Sequence, residues 1–129
     1  MAWVEIMTAL ALIQFAVFAA LVGKARGTYG VKAPAVSGNE MFERYYRVQM
    51  NTLEVLVLFV PGLWLAAGHL DDQWIVLLGA VYLIGRVVYF RAYVTAPAKR
   101  GPGFSMSLVP STILIVAGLV GAVRELLAG

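Results

Sequence analysis

Two groups of polar residues in this chain have the types and the spacing to do chemistry. Arg44, Arg47, Asn51 and Glu54 recur at intervals of three and four residues, so on a helix they fall within an arc of about 80°. Tyr82, Arg86, Tyr89 and Tyr93 repeat that spacing further along, and Arg100 follows them. A guanidinium is a permanently charged planar fork that binds carboxylates through paired hydrogen bonds, and tyrosine hydroxyls add further donors. Around these stripes Arg26, Arg44, Arg47, Arg86, Arg91 and Arg100 outnumber Glu40, Glu43 and Glu54, which leaves several cations for a ligand. The expected ligand is therefore a small anion with more than one carboxylate, and Glu54 could hold an amino group on the same molecule. The plainer alternative is an interhelical ion pair between Arg86 and Glu54, with the tyrosines as interfacial anchors.

The elements that position these stripes are membrane spans. Of the 129 residues, 61% are apolar or aromatic and 13% charged, whereas soluble domains run at roughly 45–50% and ~25%. A mean hydropathy of +0.83 excludes disorder, and the length suits a single domain over residues 1–129. A spanning helix needs about 20 mainly apolar residues. Windows of this kind lie at 3–23, 52–67, 74–94 and 107–127, and the second extends back to a capping box beginning at Ser37-Gly38-Asn39-Glu40. The stretch 24–37, with Gly27, Gly30 and Pro34, reads as a loop. Pro110 suits the first turn of the fourth helix, and Pro61 implies a kink in the second. Gly79 and Gly85 fit close helix packing. The fold expected is all-α: an integral membrane four-helix bundle protomer.

Charge orients the bundle. Nine of the ten basic residues, all but Arg124, fall on the side of the first and third connections, which by the positive-inside bias is the cytoplasmic side of a bacterial inner membrane or an endomembrane. Glu5, His69, Asp71, Asp72, Arg124 and Glu125 fall on the other. His69 reads as a surface residue, and Trp3, Trp64 and Trp74 as interfacial or packing residues. With no cysteine a disulfide framework and a thiolate zinc site are excluded, a single histidine argues against a histidine metal cluster or a serine–histidine triad within one chain, and no metal is expected. The net charge of +3 is dispersed between apolar runs, so nucleic acid is not an expected partner.

The stretch FERYYRVQMNTLE from Phe42 to Glu54, with GRVVYFRAY from Gly85 to Tyr93 and the following Arg100, resembles the superfamily of membrane-associated proteins in eicosanoid and glutathione metabolism (MAPEG). The likeness is greatest to its leukotriene C synthase and microsomal glutathione transferase branch, and it covers essentially the whole chain. The resemblance implies a homotrimer that binds glutathione between protomers near the cytoplasmic face. It assigns Arg47, Asn51, Glu54, Arg86, Tyr89 and Tyr93 to glutathione, adds Arg26 and Gln49 as further contacts, and makes Arg100 the stabiliser of the thiolate. Gln49 lies at about 140° on the helical wheel, off the main stripe, which fits a contact across a protomer interface or none. The implied activity is glutathione conjugation to a hydrophobic electrophile, with possible peroxidase activity on lipid hydroperoxides. Partners would be glutathione, that electrophile or lipid, and membrane lipids. Val55 and Gly27 depart from the tyrosine and arginine of leukotriene C synthase, and Thr52 and Gly101 from the aspartate and serine of the prostaglandin E synthase branch; a general detoxification transferase fits best. Two other classes stand beside it. One is a non-catalytic lipid-binding scaffold, also found in the superfamily. The other is a small transporter using Glu54 as an intramembrane cation site.

Overall fold

A backbone within hydrocarbon must satisfy its own hydrogen bonds, and the apolar windows do so as helices. The computed structural model describes residues 1–129 and contains α1 (Ala2–Tyr29), α2 (Glu40–Ala66), α3 (Asp72–Thr95) and α4 (Gly101–Ala128), with one 3-10 turn, Pro97–Lys99, before α4. All four helices are long and apolar enough to cross a membrane. They alternate in direction, so α1 and α3 run parallel, as do α2 and α4.

The helices overrun the apolar windows. α1 continues through Lys24 and Gly27 to Tyr29, taking in part of the stretch expected as a loop. It ends where Gly30 turns left-handed at φ 71° and returns its N–H to the Arg26 carbonyl. The cap of α2 lies two residues after Ser37: Asn39 Oδ1 accepts from the Phe42 N–H at 3.0 Å, and Glu43 Oε2 accepts from the Gly38 N–H at 3.2 Å. α4 begins at Gly101, so Pro102 takes the tolerated place in the first turn and Pro110 is a buried interior residue of the helix.

α4 packs against both α2 and α3, and α1 leans on α2 and α3. The main core joins Val4 and Met7 of α1, Phe59 and Leu63 of α2, Ile75 and Tyr82 of α3, and Leu114 of α4. Phe59 and Tyr82 stack there with ring centroids 3.7 Å apart. Close approach depends on missing side chains. Gly79 lies under Met7 and Gly85 under Met106, as their sequence context suggests, and Gly103 and Gly118 admit the backbones of Tyr89 and Leu65. Trp3, Trp64 and Trp74 are exposed at one end of the bundle, with Trp64 Nε1 donating to Thr8 Oγ1 at 3.1 Å. His69, expected on the surface, is instead tucked over Gly121 with its Nδ1 3.7 Å from Glu125 Oε1.

The Gly103 contact is the most demanding, because an added Cβ would fall on the Tyr89 backbone. Gly103→Ala is expected to cost about 1–3 kcal/mol in overpacking, read as a lower unfolding temperature in detergent. Gly23→Ala, at a position open to a side chain, should not lower it.

Candidate functional site

At the basic end of the bundle, α2, α3 and the start of α4 enclose a cavity of about 510 Å³. α2 contributes Arg47 and Asn51, one turn apart, and α3 contributes Tyr89 and Tyr93, also one turn apart. The junction into α4 adds Arg100, Gly101 and Phe104. The two tyrosine rings lie 5.5 Å apart, and Phe104 stands 6.4 Å from Tyr89. Arg100 is held by its own turn, with Nη1 donating to the Pro97 carbonyl at 3.0 Å.

The electrostatics are one-sided. No acidic residue lines the cavity, and neither Arg47 nor Arg100 takes part in the Arg44–Glu40 ion pair or the His69–Glu125 contact. The first turn of α4 has no side-chain cap, so its free N–H groups and the positive end of its dipole add to the field at Gly101.

Behind the wall sits Arg86, fully buried. Its Nε donates to Ser107 Oγ on α4 at 2.8 Å, and its Nη1 donates to Asn51 Oδ1 at 2.8 Å and Thr52 Oγ1 at 3.2 Å on α2. The guanidinium also lies 4.4 Å from the centre of the Tyr89 ring. Since this network occupies Asn51 Oδ1, the amide's remaining polar group is its NH₂, a donor. Arg86 thus fixes two residues of the cavity wall.

Five of the nine sequence-derived site residues, Arg47, Asn51, Tyr89, Tyr93 and Arg100, meet in this cavity, and Arg86 supports it from behind. The remaining three lie outside its lining. Glu54 is exposed on the outer side of α2 and forms no pair with Arg86. The alternative of an interhelical Arg86–Glu54 pair is thereby excluded within the chain, because Glu54, at the edge of the polar arc, turns toward a side where no helix of its own chain packs. Arg26 donates to the Ala35 carbonyl at 2.7 Å and lies over the Phe42 ring, close to the α1–α2 loop. Gln49 is half-buried on another side of α2. Arg44 is occupied with Glu40 and the Val94 carbonyl, each at 2.9 Å, tying α2 to the end of α3.

The sequence profile of the MAPEG family matches residues 4–120. The chain belongs to the MAPEG family. It is 39% identical over 118 residues to human microsomal glutathione S-transferase 2, covering 92% of this chain and 80% of that protein. It is 31% identical over 123 residues to rat leukotriene C4 synthase, covering 95% and 82%. An uncharacterized protein of Synechocystis is 46% identical over 124 residues, covering 96% and 90%. Four apolar helices and this membership make the chain an integral, multi-pass membrane protein.

Within this MAPEG chain, sequence reasoning missed Ser107 and Thr52 as acceptors for Arg86, and Phe104 as a wall of the cavity. The only sequence signal was the recurrence of Ser107 and Ser111 one turn apart on one face of a mainly apolar helix. Both hydroxyls are buried and both donate to the carbonyl four residues earlier, but only Ser107 also accepts from Arg86. Ser107→Ala should therefore cost about 1–3 kcal/mol more than Ser111→Ala in thermal unfolding in detergent, the penalty of leaving a buried charged donor unpaired.

Proposed function

We propose that this protein is a membrane-bound glutathione transferase that binds glutathione in the α2–α3–α4 cavity. The thiol is held there as thiolate and transferred to a hydrophobic electrophile dissolved in the bilayer. One observation carries the reading: two unpaired guanidinium groups and an uncapped helix N-terminus surround a cavity of about 510 Å³ with no acid in its lining. Glutathione carries two carboxylates, one ammonium and one thiol near neutral pH, and its size suits a cavity in the range of roughly 300–1,000 Å³. The names of the human and rat relatives favour the same chemistry.

In this reading Arg47 takes a carboxylate, the Asn51 amide and the hydroxyls of Tyr89 and Tyr93 donate to the peptide, and Arg86 acts by holding Asn51 and Tyr89 in place. Arg100 faces the sulfur. A nearby cation and a helix N-terminus both stabilise a thiolate, which is the nucleophile. The electrophile accepts the thiolate's electron pair at carbon and expels its leaving group or gains a proton. With a lipid hydroperoxide, two glutathione molecules would instead give glutathione disulfide, an alcohol and water.

Glu54 supports a homotrimer. It lies ten residues from both Arg44 and Trp64, about 15 Å of helix from each, and is exposed on the protomer. An ionised carboxylate facing lipid at that depth costs several kcal/mol, which a neighbouring protomer would remove. Arg26, Gln49 and Glu54 would then meet glutathione across the interface, with Glu54 on its ammonium. The basic side would face the cytoplasm.

The deciding measurement is the ultraviolet difference absorbance of thiolate when glutathione is added to the protein in detergent. The wild type should give the signal near neutral pH. In Arg100→Ala the half-point should rise toward the free-thiol pKa of about 8.5, with turnover at least about tenfold lower. Unchanged turnover would remove Arg100 from the chemistry. No signal, no calorimetric binding of glutathione and retained fatty-acid binding would establish the scaffold instead.

Orientation has its own test, since the chain has no cysteine. With Ala98→Cys and Gln73→Cys, both at exposed positions on opposite ends, an impermeant maleimide outside intact bacterial cells should label Cys at 73 alone. The reverse pattern would invert the topology.

A further inference from the structure

The seam between α1 and α3 carries openings that the proposed reaction does not use. At its basic end, where Tyr45 of α2 enters beside Phe90, a cavity of about 280 Å³ on the α1 side has Lys24 at its edge, and one of about 440 Å³ between α2 and the end of α3 has Arg91. The two share Tyr45 and Phe90. Deeper along the same seam a trough of about 440 Å³ runs between Ile13 and Val87, lined by apolar side chains except for Gln14. Because α1 and α3 are parallel, their stripes stay in step: Gln14 Nε2 donates to the Leu83 carbonyl at 2.9 Å, and seven residues further along both helices Leu21 and Phe90 line the basic end.

Lys24 and Arg91 are exposed, belong to no ion pair and have no acidic residue in either cavity. Their depth is set by the tryptophans at the opposite end. Lys24 lies 21 residues beyond Trp3 and Arg91 lies 17 beyond Trp74, about 31 Å and 26 Å of helix respectively. These distances bring both cations to the far boundary of a hydrocarbon layer about 30 Å thick. Two unpaired cations at the headgroup level, an aromatic floor beneath them and an apolar trough running inward match one kind of molecule: an anionic head on an acyl chain.

We propose that the α1–α3 seam is a binding site for an acidic glycerophospholipid of the leaflet on the basic side. Lys24 and Arg91 take the phosphate, Tyr45 lies at the glycerol level, and an acyl chain fills the trough. A zwitterionic lipid is disfavoured, because its ammonium would sit beside two cations with no carboxylate to receive it. Neither cation lines the cavity assigned to glutathione, so this site stands or falls apart from that reading.

The test is native mass spectrometry of the full protein in non-ionic detergent with equal amounts of dioleoyl phosphatidylglycerol and dioleoyl phosphatidylcholine. Phosphatidylglycerol should be retained preferentially. Lys24→Ala/Arg91→Ala should lower its retention by about 30-fold, the contribution expected of two basic residues at an anionic surface, while Lys24→Arg/Arg91→Lys should keep it. An unchanged unfolding temperature in the double alanine variant would show that the loss is local. Equal retention of the two lipids, or no loss in the double alanine variant, would overturn the proposal. So would displacement of the lipid by millimolar inorganic phosphate, which would make this a site for the free anion.

Discussion

Arg86 is fully buried and has no carboxylate partner, so the bundle must hold its charge with neutral acceptors. Much of the architecture near the cavity follows from that requirement. The acceptors come from two other helices, Asn51 and Thr52 on α2 and Ser107 on α4, and they can reach the guanidinium only if the helices approach closely. Gly85 makes this possible: a side chain there would meet Met106 and the backbone nitrogen of Ser107. The missing side chain before Arg86 and the hydrogen bond made by Arg86 are one device. Gly103 continues it by seating the first turn of α4 against Tyr89. In this way one buried cation fixes the spacing of three helices and the wall of the cavity.

The same network sets the polarity of the site. With Asn51 Oδ1 occupied by Arg86, the cavity offers Arg47, Arg100, an amide NH₂, two phenols and the open end of α4, a set dominated by donors. Nothing in the lining can neutralise an anion except these donors. The acidic residues closest in sequence are engaged or placed elsewhere, Glu40 on Arg44, Glu43 on the α2 cap and Glu54 on the outer side of α2. Positive potential is therefore concentrated where the three helices meet and is left unbalanced within the chain.

The spans and the two stripes were legible because membrane composition and helical periodicity act locally. A helical wheel gives an angle but not the neighbour at that angle, so it leaves a Glu54–Arg86 pair open although Glu54 faces away from the bundle. Apolar windows find hydrocarbon and not helix ends, so the continuation of α1 through Lys24 and Gly27 has the composition of a loop and the structure of a helix. Gly101-Pro102-Gly103 has the composition of a turn, yet it starts α4, since proline suits a first turn and Gly103 is required by its contact with Tyr89. The recurrence of Ser107 and Ser111 is a weak signal and Thr52 gives none, because intrahelical serine and threonine usually bond their own backbone. Only the fold shows that Ser107 and Thr52 also serve Arg86. As ligand contacts Arg26 and Gln49 rest on resemblance, and both lie outside the cavity of the chain.

The lining also has a chemical character of its own. It contains no thiol, imidazole or primary amine, only guanidinium, amide, phenol, a phenylalanine ring and glycine. Guanidinium stays protonated under ordinary conditions and has no free electron pair to offer, and the chain has no cysteine anywhere. Such a pocket holds no soft nucleophile of its own. A catalyst built around it could meet reactive compounds turnover after turnover without being consumed by them, and the only soft nucleophile present would be the one it borrows. Covalent probes aimed at cysteine or lysine would pass through this cavity without leaving a mark.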